Sequence, residues 1–427
     1  MTLVVDTTPQ PPAAGAVGEA RKPISWRWPA VTAIITALTA ILALASSGSA
    51  RFSMTGATGW FTIPEFSLPS PLTGLLMAAV ALGITVLAFR RAIERQDVPG
   101  WLVGLAAAAF VITFLVWTVA GNAGAAIPVM RLLTGALAFA VPLAFGALSG
   151  VISERSGIIN IAIEGQMIAG AFAGVVAASA AGSAWVGLIS APIAGIGIAA
   201  LLAWFTITYR VNHIIVGVVL NMLALGLTAF LFTTVTTGTR WNQSLALPNL
   251  KIPLLSDIPV IGPVLFNQNI LVYLAFGLIA FFQFYLFRSR WGLRTRAIGE
   301  HPKAADTVGI RVNALRWRNV LLGGALAGFG GAMFSIGMGL AFSKNMIAGN
   351  GYIALAAMIL GGWRPLGAAM AALLFGFATN LGFVVQTVEA PMPTEFILMI
   401  PYIVTLLAVG GFIAAARPPA AEGEPYP

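Results

Sequence analysis

The chain alternates long apolar runs with short polar stretches. Most of these runs approach or exceed the ~20 residues that a helix needs to cross the ~30 Å hydrocarbon core of a bilayer. Twelve apolar segments can be marked, at 29–48, 72–90, 101–120, 132–152, 161–181, 185–208, 214–235, 270–287, 319–340, 353–363, 366–386 and 395–415. The pattern predicts an all-α polytopic transmembrane bundle of 10–12 segments. The run at 353–363 is short for a crossing, which indicates a half-inserted or bent segment.

The ends of the chain have a different character from its middle. Residues 1–28 begin with a Pro- and Ala-rich stretch and predict a disordered tail, and residues 418–427 predict a second short tail. The basic residues Arg21, Lys22 and Arg27 follow the first tail, so the first apolar run reads as a retained anchor and not as a cleaved signal peptide. A single transmembrane domain is therefore expected over 29–417.

The distribution of basic residues predicts the orientation of the chain. Of the 23 Lys and Arg residues, 18 fall on one side when the segments are threaded alternately through a membrane, and five fall on the other. The positive-inside rule then places both termini in the cytoplasm, the loop at 236–269 outside and the loop at 288–318 inside. The net charge of +9 has the same explanation, so a nucleic-acid partner is not expected.

Composition supports a membrane protein and offers no catalytic machinery. Only 9% of the residues are charged, against about 25% in soluble domains. Cysteine is absent and only two histidines occur, so neither a disulfide framework nor a metal site is expected. No paired carboxylates or nucleophile–base pair stand at a usable spacing, so the chain is not expected to be an enzyme and has no predicted catalytic residue. No lysine follows a glycine, which rules out a Walker phosphate-binding loop.

The segment 288–318 contains a predicted short helix. Pro302 suits the first helical position, Gly309 suits the end, and a helix over 302–308 would be roughly 10 Å long. One interpretation is a rigid element that docks onto a soluble motor subunit. The other is a basic loop that merely follows the positive-inside rule.

Polar side chains cluster at 153–167, between two apolar runs. Asn160 and Glu164 are four residues apart and are expected on one helix face, with Gly157 breaking the helix before them. In one interpretation, polar groups at such depth line a translocation path or its inner gate. In the other, they form a network that pins a broken helix, with Glu154 paired to Arg155 or to a basic loop residue. The candidate path or gate residues are Glu154, Asn160, Glu164, Gln166 and Asn221.

Three glycine pairs have the spacing that allows close helix packing in lipid. They are the GxxxG stretches at 146–150, 170–174 and 324–328. With 47 glycines some matches arise by chance, so the pattern predicts a tightly packed bundle and no more.

Three longer stretches resemble a known family. "GALSGVISERSGIINIAIEGQMIAGAFAG", "RTRAIGEHPKAADTVGI" and "GYIALAAMILGGWRPLGA" are similar to the permease subunits of ABC importers of the ribose and branched-chain amino acid type. The first stretch is most similar to the nucleoside branch. The resemblance covers about 130–415 and leaves residues 1–125 largely outside.

The resemblance implies partners and a role for the 288–318 segment. Such a permease works in the cell (inner or plasma) membrane with a second related permease, cytoplasmic ATP-binding subunits that use ATP and Mg, and an extracytoplasmic substrate-binding protein. The chain itself would hold no cofactor. His301 stands where the family usually has Asn. The implied ATPase coupling loop comprises Gly299, Glu300, His301, Pro302, Lys303, Ala304, Ala305, Asp306 and Gly309.

Two alternatives stay open. The same machinery could carry a sugar or a branched-chain amino acid in place of a nucleoside. A protein of another class, an ion-coupled secondary transporter, would work alone. Such carriers place acids within their spans, and here Glu164 is the one acid that clearly falls within a predicted span.

Overall fold

A computed structural model describes residues 25–54, 60, 63–122, 124–236, 240–388, 392–412 and 417–427. The described part is mostly helical, as predicted. The predicted disordered tail at 1–28 lies almost wholly outside the described residues.

Helices account for nearly all of the regular structure. Those of the first half are α1 (Arg27–Ala45), α2 (Ser70–Ile93), α3 (Gly100–Val119), α4 (Val129–Glu154), α5 (Ile163–Ala181), α6 (Ala184–Ala203) and α7 (His213–Val235). Those of the second half are α8 (Ile261–Leu265), α9 (Ile270–Arg288), α10 (Arg290–Glu300), α11 (Pro302–Thr307), α12 (Val312–Ala332), α13 (Asn350–Leu360), α14 (Pro365–Thr387) and α15 (Thr394–Phe412). A π-helical turn extends α6 to Thr208, and another extends α12 to Gly337. Within the described residues, ten helices are long and apolar enough to cross a membrane, which confirms the predicted polytopic bundle.

In the part of the chain that the structure describes, five short strands lie between the helices. They are β1 (Ser49–Ser53), β2 (Phe66–Pro69), β3 (Ile127–Pro128), β4 (Asn249–Lys251) and β5 (Asn267–Asn269). The strand order β2-β1-β3 forms one sheet, with Phe52 opposite Ile127 in a parallel pair. β4 and β5 pair antiparallel within the predicted outer loop at 236–269.

The chain divides into two compact units. The first comprises residues up to Ser47 together with Pro69–Trp117, and therefore contains α1, α2 and most of α3. In it α1 packs on α2, and the hydroxyls of Thr36 and Thr85 lie 2.8 Å apart. The second unit comprises Gly48–Leu68 and everything from Thr118 onward. It contains all the candidate site residues.

The core of the second unit lies where α4, α5, α6 and α12 pack together. α4 also packs on α13 and α14, and its C-terminal half is buried on all sides. The side chains of Phe145, Leu148 and Met167 are completely enclosed. Small residues permit this density, because a Cβ on Gly170 would lie only 2.7 Å from the Cα of Gly328. A Cβ on Gly146 would likewise lie 2.8 Å from the Cβ of Ala354, so the predicted close packing is found at all three glycine pairs.

The predicted inner loop at 288–318 is instead largely helical. The predicted short helix forms as α11, but α10 precedes it and α12 begins at Val312, seven residues before the predicted span. The polar sequence of α10 hid it from a search for apolar runs. Its start is fixed by Ser289, whose hydroxyl accepts a hydrogen bond from the Gly292 amide at 3.1 Å.

The predicted short segment near 353–363 is a half-length helix. α13 has 11 residues and is therefore roughly 16 Å long, about half the thickness of the hydrocarbon core. Gly349, at φ 86°, precedes it in a backbone conformation that favours glycine. The 338–349 connection before it contains turns and no regular helix. Such interrupted helices occur in transporters where the backbone lines a cavity or is buried in protein.

Candidate functional site

The turn between α4 and α5 is the structural centre of the candidate site. α4 ends at Glu154 and α5 begins at Ile163, so the predicted break is confirmed. Gly157 adopts φ 90°, and a Cβ there would lie 2.7 Å from the Nη2 atom of Arg316. Both the conformation and the lack of space require glycine at this position.

Three buried polar side chains form a closed network inside this turn. The Asn160 amide nitrogen donates to the Ser149 hydroxyl at 3.1 Å and to Gln166 Oε1 at 3.2 Å. Gln166 Nε2 donates back to Asn160 Oδ1 at 3.1 Å. All three side chains are fully buried. The network ties α4 to α5 through the side-chain amides of Asn160 and Gln166.

The prediction that Asn160 and Glu164 share a helix face is wrong. Asn160 precedes the first residue of α5, so helical spacing does not apply to it. Its side chain turns toward Ser149, whereas the Glu164 side chain reaches α13. The two residues therefore belong to different contacts.

Glu164 holds the beginning of α13. Its two carboxylate oxygens accept hydrogen bonds from the amides of Gly349 at 2.8 Å and Gly351 at 2.7 Å. The first amides of a helix have no partner within it, and an anion there also interacts favourably with the helix dipole. Glu164 is only half-buried, so this contact lies at an edge of the packed core.

Asn221 of α7 joins the same region from another side. Its side-chain oxygen accepts from the Gly165 amide at 2.7 Å. Its nitrogen donates to the Ile161 carbonyl at 2.9 Å and to the Tyr352 hydroxyl at 3.0 Å. Asn221 therefore connects α7, the start of α5 and α13.

A cavity of about 170 Å³ opens beside the first turn of α13. Its polar lining includes Asn350 of α13, Thr379 and Gln386 of α14, and Tyr402 of α15. The Glu164–Gly351 contact lies one residue along the chain from Asn350. None of the predicted path residues lines this cavity. Asn160, Gln166 and Glu154 are instead enclosed by protein.

Glu154 and Arg155 do not form the ion pair that the second interpretation allowed. Glu154 Oε2 accepts from the Trp363 indole at 2.7 Å, and the Asn160 backbone also donates to this carboxyl. Arg155 donates instead to the carbonyls of Trp363 at 3.0 Å and Gly362 at 3.2 Å. These contacts join the α4–α5 turn to the end of α13.

The coupling-loop residues form a second, exposed site. Six of them are exposed, as is Val308 immediately after α11; the six are Glu300, His301, Lys303, Ala304, Asp306 and Gly309. Ala305 faces inward, at 4% exposure, and packs with Ile298 and Val312. An exposed alanine and an exposed valine, four residues apart, leave an apolar strip uncovered beside α11.

The two predicted sites meet at Gly299. A Cβ on this residue would overlap the backbone carbonyl of Arg155, so α10 and the α4–α5 turn are in backbone contact. Movement of α10 and α11 therefore has a direct route to the base of α4.

A carboxyl from the end of the chain also enters this region. Glu422 is in hydrogen-bond contact with Glu154, and two carboxyls make such a contact only when one of them carries a proton. Burial raises the pKa of Glu422, while the contact with Glu154 and the charge of Arg155 act in the opposite direction. Burial likewise lowers the pKa of Arg155, an effect that the nearby Glu300 opposes.

Several residues of the site escaped sequence reasoning. Ser149 and Tyr352 were hidden within apolar runs, and Trp363 stood in a quoted stretch without an assigned role. Arg316 falls within the predicted inner loop at 288–318, yet it is fully buried in α12 and donates to the Ser156 carbonyl at 3.1 Å. The position of Arg316 just before an apolar run was the sequence signal that could have indicated its burial in a helix. Within the described residues, no three His, Cys, Asp or Glu side chains group to hold a metal ion.

The interrupted helix, the buried polar network and the exposed short helix together define a multi-pass membrane transport protein. Residues 132–409 match the family described as branched-chain amino acid transport system / permease component, and the chain belongs to this family. No solved structure matches the chain significantly.

Several curated relatives are permease proteins of ABC transporters. The guanosine ABC transporter permease protein NupQ of Bacillus subtilis is 41% identical over 68% of this chain and 94% of its own length. The nucleoside ABC transporter permease protein NupC of Lactococcus lactis is 40% identical over the same shares. A putative glucose ABC transporter permease protein of Haloferax volcanii is 34% identical over 58% of this chain and 76% of its own length. The predicted permease family is thereby confirmed.

Proposed function

We propose that the chain is the membrane-spanning subunit of an ATP-driven importer and forms the translocation path for nucleosides. Two relatives that cover most of the chain are described as guanosine and nucleoside permeases, and both are more similar to it than the glucose permease. The glucose relative supports a sugar as the second candidate substrate.

The observation that carries the motor-driven part of the proposal is the exposed strip beside α11. Ala304 and Val308 are uncovered at a site outside the candidate spans, where neither lipid nor the rest of this chain buries them. An exposed apolar strip with a rigid backbone suits a groove on a soluble protein. The proposed occupant is a separate cytoplasmic ATP-binding subunit, which uses ATP and Mg and supplies the hydrolysis that this chain does not perform.

A second related permease and an extracytoplasmic binding protein complete the proposed complex. In Bacillus subtilis two guanosine permease proteins match this chain, one at 41% and the other at 26% identity. Two nucleoside permease proteins of Lactococcus lactis match it as well, one at 40% identity over 299 residues and the other at 34% over only 85 residues. Unequal similarity to two permeases in each organism supports a pair of different permeases.

The translocation path is proposed to pass the start of α13. Glu164 and Asn221 fix the amide end of this half-helix, and the adjoining cavity offers amide and hydroxyl groups that hydrogen-bond ribose and base edges. Asn160 and Gln166 are proposed to fix the α4–α5 turn at the inner end of this path. Glu154 is proposed to stabilise the same turn through its hydrogen bond with Trp363.

An Ala304→Glu substitution tests the docking surface. A carboxylate on the exposed strip should prevent the ATP-binding subunit from seating, so co-purification of that subunit and transport should both be lost. Ala305 is unsuitable for this test, because it is buried and a charge there would disturb α11 itself. Ala314→Glu is the matched control, since Ala314 is exposed on the neighbouring α12. Normal transport by the Ala304→Glu chain would refute the assignment of this surface.

A further inference from the structure

Residues 417–427, here called the docked tail, lie against both predicted sites. The Ala421 amide donates to the Gly299 carbonyl at 2.9 Å, and the Gly423 amide donates to the Gly157 carbonyl at 3.0 Å. Ala421 is 3% exposed. The docked tail thus bridges α10 and the α4–α5 turn through its own backbone.

Arg316 shows that this docking is part of the packed structure. Its side chain is 1% exposed, and its Nη1 atom donates to the Glu424 carbonyl at 3.0 Å. A buried guanidinium requires acceptors, and without the docked tail this nitrogen would lose its acceptor. A tail that detached readily would not be expected to supply an acceptor to the buried Arg316 guanidinium.

The docked tail continues to α11. The Tyr426 hydroxyl is hydrogen-bonded to Asp306, and the Tyr426 ring packs on the small apolar cluster that contains Ile298 and Ala305. Glu300 accepts from the Ala420 amide at 3.2 Å. α11 has only six residues and buries only Ala305, so its position depends on neighbours such as these.

We propose that the docked tail is a positioning strap, which joins α11 to the α4–α5 turn so that they move as one body. Through it, a displacement of α11 would reach Glu154 and the base of α4 and α5. The proposal rests on the proposed function, in which α11 receives the motion of an ATP-binding subunit.

Deletion of residues 418–427 tests the strap in the assembled transporter. The complex should still form and hydrolyse ATP, but substrate transported per ATP should fall by about tenfold, within the range that changes along a coupling route produce. A general folding defect would instead lower assembly and hydrolysis together. Pro425→Ala is the control, because Pro425 is exposed. Transport per ATP at or above the level of the intact chain would overturn the proposal.

A cross-link tests whether the tail stays in place during transport. Asn313 Nδ2 lies 3.4 Å from the Pro427 carbonyl, and the chain has no cysteine of its own. The Asn313→Cys, Pro427→Cys double variant should be joined by a short bifunctional thiol reagent, whereas the single variants should not. Transport should continue with the link in place. Absence of the cross-link, or transport that stops with it and returns on its cleavage, would refute the strap.

The two experiments separate this proposal from the function on which it rests. If no ATP-binding subunit associates with the intact chain, the proposed function fails and the strap fails with it. If ATP-dependent transport is normal but insensitive to the deletion, only the strap fails. If the chain that lacks residues 418–427 does not assemble, the cross-link result decides whether the strap proposal holds.

Discussion

At the residue scale, the position of the polar cluster was predictable from the sequence, but the hydrogen-bond partners of its side chains were not. The cluster at 153–167 was apparent, and its glycine break was placed correctly. The contacts of Asn160 and Glu164 were not predictable. Asn160 precedes α5, so the four-residue spacing of a helix does not relate it to Glu164. Ser149 and Trp363 are 11 and 209 residues from the partners that they satisfy, Asn160 and Glu154. Sequence spacing alone carries no information about such contacts.

Gln166→Leu should destabilise the protein. The change removes the acceptor and the donor that face Asn160. The buried Asn160 Oδ1 then loses the Gln166 donor, and its amide nitrogen keeps only the Ser149 hydroxyl, at a cost of about 1–3 kcal/mol. Thermal unfolding of the solubilised chain measures the effect. The Asn160→Leu, Gln166→Leu double variant should recover part of the loss, because both ends of the contact are then apolar. If Gln166→Leu lowers transport but leaves unfolding unchanged, the side chain serves the path and not the network.

Glu164→Ala should loosen the start of α13. It removes the acceptors of two backbone amides, so about 1–3 kcal/mol of stability should be lost, and Glu164→Gln should lose less because one acceptor remains. Unfolding and transport should be measured on the same preparations. Glu395→Ala is the control, since Glu395 is an exposed acid in the first turn of α15. Equal stability of the two alanine variants would contradict the capping role.

At the element scale, apolar runs located the spans well, and polar helices were missed. The ten long helices and the half-length α13 all correspond to predicted segments. α10 was missed because it has no apolar run, and the docked tail was assigned as a plain tail because nothing local reveals that it packs. α11 was found because Pro302 and Gly309 mark its ends independently of hydropathy.

Docking of the tail should weaken as pH rises. Burial raises the pKa of Glu422, so the docked state binds a proton more readily than a free tail does. Its stabilisation is therefore complete at low pH and is lost as pH rises through the raised pKa. Glu154 and Arg155 are the charged or titratable groups that act on Glu422, while Glu300, Asp306 and Arg316 contact other parts of the docked tail.

A nitroxide label on Pro427→Cys reports this dependence, because the chain has no other cysteine. The label should become more mobile between mildly acidic and mildly alkaline pH. Glu422→Gln, which resembles the protonated acid, should abolish the change. A label that becomes more mobile as the pH falls would contradict the predicted pH dependence of docking.

At the scale of the whole molecule, the family match and the structural units divide the chain differently. The family covers residues 132–409, whereas α1, α2 and α3 precede it. Composition and the apolar runs predicted the membrane class, and the three quoted stretches indicated the family that the match over residues 132–409 shows. The contacts of the docked tail, and the contact between Gly299 and the α4–α5 turn, could not be predicted from the sequence, because they join parts of the chain that are far apart in sequence.

The central claim is that the chain passes nucleosides under the drive of a separate ATP-binding subunit. Guanosine uptake by proteoliposomes that contain the co-purified complex with its binding protein tests it most directly, with ATP supplied on the side of α11. We predict uptake that requires ATP, is absent with Ala304→Glu, and is competed by nucleosides but not by glucose or leucine. Guanosine uptake by the purified chain alone, driven by a proton or sodium gradient without ATP, would contradict the account.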